Sequence, residues 1–293
     1  MKYVFKGSCV ALITPFKDNK VDFESLEKLI KHQLNNGTDA ILVLGTTGEP
    51  ATMTVEEKHQ VIDFSKKLIG SKAKFIIGTG GNNTEKVIQD SLYAKEHGAD
   101  ALLIVTPYYN KCTQNGLVKH YQMIADAVKM PIIAYNVPGR TGVNILPETC
   151  KKLSEIENVV AIKEASGNLS QVAEIASLCR DNLWIYSGND DQILPVLSLG
   201  GLGVISVLSN VAPKYTHDMV QNFFDGKIEE SKNMQLDSIG LVNALFSEVN
   251  PIPVKAALNL MGYNFGEPRL PLIPMSENKK AILKGEMEKM KII

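Results

Sequence analysis

The sequence of 293 residues lacks the features that mark secreted, membrane-spanning and nucleic-acid-binding proteins. Its four cysteines are far apart and have no Cys-x-x-Cys spacing, which argues against a disulfide framework. No apolar run approaches the roughly 18 residues of a membrane span, and the N-terminus lacks the apolar core of a signal peptide. Lys and Arg (31) balance Asp and Glu (32), so no excess of charge attracts nucleic acid or an anionic membrane. These absences predict a cytoplasmic protein.

Metal and nucleotide motifs are also missing. The five histidines are scattered, and neither they nor the cysteines have the spacing of metal ligands. Two glycine-rich segments, residues 78–82 and 200–203, match neither a P-loop nor a dinucleotide-binding fingerprint. We therefore predict no metal site and no cofactor.

What the sequence does contain is an alternation of apolar strands and amphipathic helices. Eight strand-like segments lie at residues 9–13, 40–44, 75–78, 101–106, 132–136, 159–164, 184–187 and 203–207. Continuously apolar strands separated by helices indicate a parallel sheet, and eight such units are typical of a closed barrel. The predicted fold class is α/β, a (β/α)8 TIM barrel, with an open doubly wound sheet as the alternative.

The last part of the chain shows helical patterns only. Residues 211–224 predict the eighth barrel helix, and residues 227–246, 253–261 and 277–289 predict further helices with no strand between them. We predict a catalytic barrel domain at residues 1–225 and a C-terminal helical extension at residues 226–293.

Lys163 is the first candidate for chemistry. It lies near the carboxyl end of the sixth predicted strand, where barrel enzymes collect their catalytic residues. A lysine amine in a pocket of low dielectric constant loses its proton more readily and can then attack a ketone to form a Schiff base. The alternative is a structural lysine that forms an ion pair with Glu164 or with a neighbouring carboxylate.

Other polar side chains follow neighbouring strands. Tyr135 ends the fifth strand and could transfer protons beside Lys163, or it could be a core tyrosine with a satisfied hydroxyl. Thr46 and Thr47, in a loop flanked by glycines, suit a small carboxylate, although such threonines often bond only within a tight turn. Arg140 could bind a carboxylate through two hydrogen bonds or be a solvated arginine.

Taken together, the motifs that follow the strands resemble those of the dihydrodipicolinate synthase / N-acetylneuraminate lyase family, in the same order and over nearly the whole chain. They are Gly45-Thr46-Thr47-Gly48-Glu49, Thr106-Pro107-Tyr108-Tyr109-Asn110, Tyr135-Asn136-Val137-Pro138-Gly139-Arg140-Thr141-Gly142, Lys163-Glu164-Ala165-Ser166-Gly167 and Ser187-Gly188-Asn189-Asp190. The order of the set is far more specific than any one motif.

The resemblance implies a class I, Schiff-base-forming lyase of the aldolase type. It implies that Lys163 forms the Schiff base and that Tyr135 donates and accepts protons. Thr46 would relay protons between Tyr135 and Tyr109, and Tyr109 would come from a neighbouring subunit of a homo-oligomer, either a tetramer or a dimer of dimers.

The family also implies how substrates are held. Thr47 and the backbone at Ile205 would hold pyruvate, and Arg140 would bind the carboxylate of aspartate 4-semialdehyde. Gly188 is a further predicted substrate-binding residue. The paired threonines and this arginine are similar to the synthase branch, which serves diaminopimelate and lysine biosynthesis. Another pyruvate-dependent aldolase that acts on a sugar acid is the first alternative. The second is a ligand-binding barrel without turnover, which would not need a nucleophile with a proton relay.

We expect the activity to be insensitive to millimolar lysine. Lysine-inhibited members of the family carry histidines and an acidic residue where this sequence has Val55, Lys58 and Lys86. Two cationic side chains repel a cationic ligand, and valine cannot accept a hydrogen bond from its ammonium group. Steady-state assays with and without lysine test this, and saturable inhibition would show that the interpretation is wrong.

Overall fold

The strands of this computed structural model, which describes residues 3–293, are short and largely buried. They are β1 (Gly7–Ala11), β2 (Phe16–Lys17), β3 (Lys20–Val21), β4 (Ala40–Val43), β5 (Lys74–Gly78), β6 (Ala101–Val105), β7 (Ile132–Asn136), β8 (Val159–Glu164), β9 (Trp184–Ser187) and β10 (Gly203–Ser206). All except β2 and β3 form one closed barrel in the order β1, β10, β9, β8, β7, β6, β5, β4. The predicted (β/α)8 barrel is therefore confirmed, and the open sheet is excluded.

The barrel strands form where the chain is continuously apolar. Every residue of β7 and of β8 is buried, because helices cover the outer face of a parallel barrel and side chains fill its interior. Lys163 and Glu164, at the end of β8, are thus charged residues in an otherwise apolar buried strand.

A small hairpin was not predicted. Strands β2 and β3 pair antiparallel, with Phe16 opposite Val21, and the turn between them contains Asp18 and Asn19 with φ of 50° and 57°. Positive φ at both central residues is typical of a tight hairpin turn, and Asp and Asn tolerate it. Two residues per strand are too few to give an alternating pattern.

The helices alternate with the barrel strands and then continue to the C-terminus. They are α1 (Phe23–Asn35), α2 (Val55–Ile69), α3 (Thr84–Glu96), α4 (Gln114–Val128), α5 (Pro138–Thr141), α6 (Pro147–Leu153), α7 (Leu169–Cys179), α8 (Ile193–Ser198), α9 (Pro213–Phe224), α10 (Ile228–Leu245), α11 (Ile252–Leu260) and α12 (Glu277–Lys289). A capping box starts α2, with the side chains of Thr54 and Glu57 each bonded to the backbone of the other residue. No helix within residues 3–293 is long and apolar enough to cross a membrane.

The contacts divide the chain into two compact units. The first unit contains residues 74–205 with the N-terminal segment, and the second contains residues 7–73 and 206–293. Helices α10, α11 and α12 follow residue 225 and belong to the second unit. A domain boundary at residue 225 stays a prediction.

A buried asparagine joins distant segments of the second unit. Asn210 is fully buried, and its amide donates to the carbonyl oxygens of Ala11 (2.9 Å) and Val207 (3.0 Å). Its side-chain oxygen accepts a hydrogen bond from the Ile13 backbone N–H at 3.2 Å. The end of β1 and the turn after β10 are thereby linked through one side chain.

We expect Asn210→Ala to lower the free energy of unfolding by about 2–4 kcal/mol, because three buried side-chain hydrogen bonds are lost. Asn243→Ala, at an exposed position of α10, is the matched control and should change stability by less than about 0.5 kcal/mol. Denaturant unfolding measures both. Equal stability of the two variants would contradict the role assigned to Asn210.

Candidate active site

A lysine and a tyrosine lie side by side on neighbouring strands of the first unit. Lys163 on β8 is the register partner of Tyr135 on β7, and its Nζ lies 4.5 Å from the centre of the tyrosine ring. The two residues are 5% and 7% exposed. At this distance the amine and the aromatic face attract each other, so the pair predicted from the sequence is brought together.

The Lys163 amine has no carboxylate partner among the described residues. The neighbouring Glu164 instead accepts hydrogen bonds from Asn136 Nδ2 (2.8 Å), the Ser166 backbone N–H (2.7 Å) and Gln171 Nε2 (3.4 Å). Burial raises the pKa of the Glu164 carboxyl, and these hydrogen bonds oppose the rise. The alternative of a Lys163–Glu164 ion pair is therefore not what the structure contains.

Gly188, after β9, lies against the stem of Lys163. A β-carbon at this position would be 3.1 Å from Lys163 Cε, 2.6 Å from Ala165 Cβ and 3.0 Å from the Glu164 carbonyl oxygen. The Gly188 backbone N–H also donates to that carbonyl at 2.7 Å. Only glycine therefore allows this approach to the lysine without displacing its neighbours.

The other candidate residues of the first unit differ in their exposure to solvent. Ile205 is fully buried on β10. Arg140 is exposed and lies on the single-turn helix α5, which begins at Pro138. Tyr109 is 92% exposed and has a φ of 67°, so its phenol faces outward from this chain.

Thr46 and Thr47 belong to the second unit, in the tight 3₁₀ turn Thr46–Gly48 that follows β4. Thr46 is exposed, whereas Thr47 is 3% exposed and its Oγ1 accepts a hydrogen bond from Asn250 Nδ2 at 2.8 Å. The Thr14 hydroxyl donates to the Gly48 carbonyl oxygen at 2.8 Å. The side chains of Asn250 and Thr14 therefore hold the turn in addition to its own backbone hydrogen bonds.

A buried ion pair holds the end of the same turn. Glu49 Oε1 lies 2.5 Å from the Nζ of Lys255, which is fully buried on α11, and Glu49 Oε2 accepts the Arg269 backbone N–H at 2.9 Å. Burial lowers the pKa of Lys255, and the Glu49 carboxylate opposes this. The Arg269 guanidinium packs 4.1 Å from the centre of the Phe16 ring.

Two residues of this arrangement, Asn250 and Lys255, were not predicted from the sequence. A lone lysine within the apolar helix α11 was a signal that could have been noticed, because a buried lysine requires a partner. Asn250 had no such signal. Among residues 3–293 no group of three His, Cys, Asp or Glu side chains is arranged to hold a metal ion.

The fold and this geometry define the class: a (β/α)8 barrel with a buried amine beside a phenol on adjacent strands. A profile of the Dihydrodipicolinate synthetase family matches residues 4–290. The chain belongs to that family, as its motifs predicted.

Similar proteins of known name belong to the same family. A 4-hydroxy-tetrahydrodipicolinate synthase of Caldicellulosiruptor saccharolyticus is 58% identical over 282 residues, which cover 96% of this chain and 95% of the relative. The crystal structure of a dihydrodipicolinate synthase from Thermotoga maritima has a TM-score of 0.97 at 43% identity, covering 99% of this chain and 100% of that one. The chloride-inhibited enzyme of the same name from Acinetobacter baumannii, complexed with pyruvate, has a TM-score of 0.96 at 42% identity, covering 98% and 99%.

Proposed function

We propose that this chain condenses pyruvate with L-aspartate 4-semialdehyde, the reaction of 4-hydroxy-tetrahydrodipicolinate synthases in diaminopimelate and lysine biosynthesis. The observation that carries the proposal is the buried Lys163 amine, without an ion-pair partner in the described chain, beside the Tyr135 phenol. The names of the relatives and the pyruvate complex of a family member support the choice of substrates.

The reaction begins at the Lys163 amine. The amine attacks C2 of pyruvate, and loss of water gives an iminium ion. Removal of a C3 proton gives an enamine, whose C3 attacks the aldehyde carbon of the second substrate. The amino group of that substrate then attacks C2, closes the ring and displaces Lys163, which is free for another turnover. Proton transfers at these steps are assigned to Tyr135, whose ring centre lies 4.5 Å from the amine.

The remaining residues position substrates. Thr47 and the Ile205 backbone bind the pyruvate carboxylate, and Gly188 leaves space beside the Lys163 stem. Arg140, exposed on α5, binds the carboxylate of aspartate semialdehyde.

A homotetramer, or dimer of dimers, completes the site. Thr46 relays protons between Tyr135 and Tyr109 of a neighbouring subunit, and the 92% exposure of Tyr109 in a single chain supports this. We propose a cytoplasmic location. A sugar-acid aldolase of the same family would share the lysine and tyrosine and differ in its second substrate, so substrate profiling separates the two functions.

We expect borohydride to trap pyruvate covalently on Lys163. Lys163→Ala should abolish trapping, because the variant lacks the amine that forms the imine with pyruvate. Lys152→Ala, which removes an exposed lysine of α6, is the control and should trap normally. Mass analysis of peptides locates the adduct, and circular dichroism confirms the fold. Undiminished trapping in Lys163→Ala would rule out the mechanism.

We expect Arg140→Ala to lower kcat/KM for aspartate semialdehyde roughly tenfold to a hundredfold, because a charge-assisted bidentate contact is lost. Pyruvate trapping should change less than about twofold, since that step precedes the second substrate. Arg140→Lys retains the positive charge but cannot make the bidentate contact, so its kcat/KM should lie between those of the unaltered protein and Arg140→Ala. Equal losses in both measurements would refute this role.

A further inference from the structure

We propose that Asn250 is a positioning residue for pyruvate, which orients the Thr47 hydroxyl so that it donates its proton to the pyruvate carboxylate. The inference rests on the proposed binding of pyruvate by Thr47. It adds a residue 203 positions away in the sequence, whose side chain does not itself touch the reacting atoms.

The hydrogen-bonding capacity of its hydroxyl limits the contacts that Thr47 can make. A threonine hydroxyl has one proton to donate and two lone pairs to accept with. Asn250 Nδ2 donates to Thr47 Oγ1 at 2.8 Å, so one lone pair is occupied and the proton remains for another acceptor. An oxygen that already accepts a hydrogen bond is also a stronger donor in a site of low dielectric constant. Thr47 is thereby set to bind an anion such as a carboxylate.

Burial makes this orientation selective. Thr47 and Asn250 are 3% and 6% exposed, so bulk water does not compete for their polar atoms. In water a hydroxyl rotates freely among acceptors, whereas here the hydrogen bond from the Asn250 amide limits that rotation and directs the Thr47 proton away from Asn250. A carboxylate can only accept, and the pair is complementary to it.

The turn that carries Thr47 has independent support. Thr14 bonds to the Gly48 carbonyl oxygen, and Lys255 and the Arg269 backbone hold the Glu49 carboxylate. Loss of the Asn250 side chain therefore leaves the backbone of the turn in place. Its effect should fall on the direction of the hydroxyl and hence on pyruvate binding.

Dependence of borohydride trapping on pyruvate concentration tests this, because trapping requires only imine formation. We expect Asn250→Ala to raise the half-saturating pyruvate concentration about threefold to tenfold. Asn250→Asp should raise it further, because a carboxylate accepts the Thr47 proton and repels the pyruvate anion. In a Thr47→Val background, Asn250→Ala should add less than about twofold, since no hydroxyl remains to be oriented.

The matched control is Asn259→Ala on α11, whose amide bonds only to the backbone of Phe265 and Gly266. It should lower thermal stability without changing the half-saturating concentration. Thermal unfolding of every variant separates binding from folding effects.

Three outcomes would overturn the inference. If Thr47→Val weakens pyruvate binding and Asn250→Ala does not, only the role of Asn250 is wrong. If Asn250→Asp binds pyruvate better than Asn250→Ala, the asparagine accepts the Thr47 proton instead of donating. If Thr47→Val has no effect, Thr47 does not bind the carboxylate and the proposal fails with it, whereas trapping at Lys163 in the unaltered protein reports separately on the proposed reaction.

Discussion

The parallel register of β7 and β8 is the constraint on which the candidate active site depends. It places Tyr135 opposite Lys163 and Asn136 opposite Glu164. Since successive side chains of a strand point to opposite faces, the amine and the carboxylate of consecutive residues are kept apart, and each finds its partner on the next strand. A slip of one residue would exchange the two faces and lose both contacts.

Two buried lysines show how the surroundings of an amine decide its use. Lys255 forms an ion pair with Glu49, and this stabilises its charged form against the effect of burial. Lys163 contacts the face of Tyr135 instead. Charge stabilisation by an aromatic face is weaker than that by a carboxylate at short distance, which agrees with the nucleophilic role proposed for Lys163 and with a structural role for Lys255.

The Thr46–Gly48 turn requires unusual backbone angles at both sides. Leu44 and Glu49 have φ of 56° and 55°, a left-handed conformation that costs a residue with a side chain about 1–2 kcal/mol. The buried pair with Lys255 and the hydrogen bond from Thr14 hold the turn in this conformation. Strain that is held by surrounding contacts is common at functional sites.

Apolar periodicity by itself determined the number and order of the barrel strands and the long helices, because burial on both faces requires continuously apolar segments. It did not indicate β2, β3, α5, α6 or α8, which are too short to show a clear period. Motifs after the strands also identified Lys163, Tyr135 and Thr47 as candidates.

Only the tertiary structure decided what these candidates contact. The bond from Asn250 to Thr47 and the pair of Lys255 with Glu49 join segments about 200 residues apart in the chain. Contacts of this kind depend on how the chain folds back on itself. They leave no periodic signal in one sequence, because periodicity records which face of an element is buried and not which distant side chain lies against it.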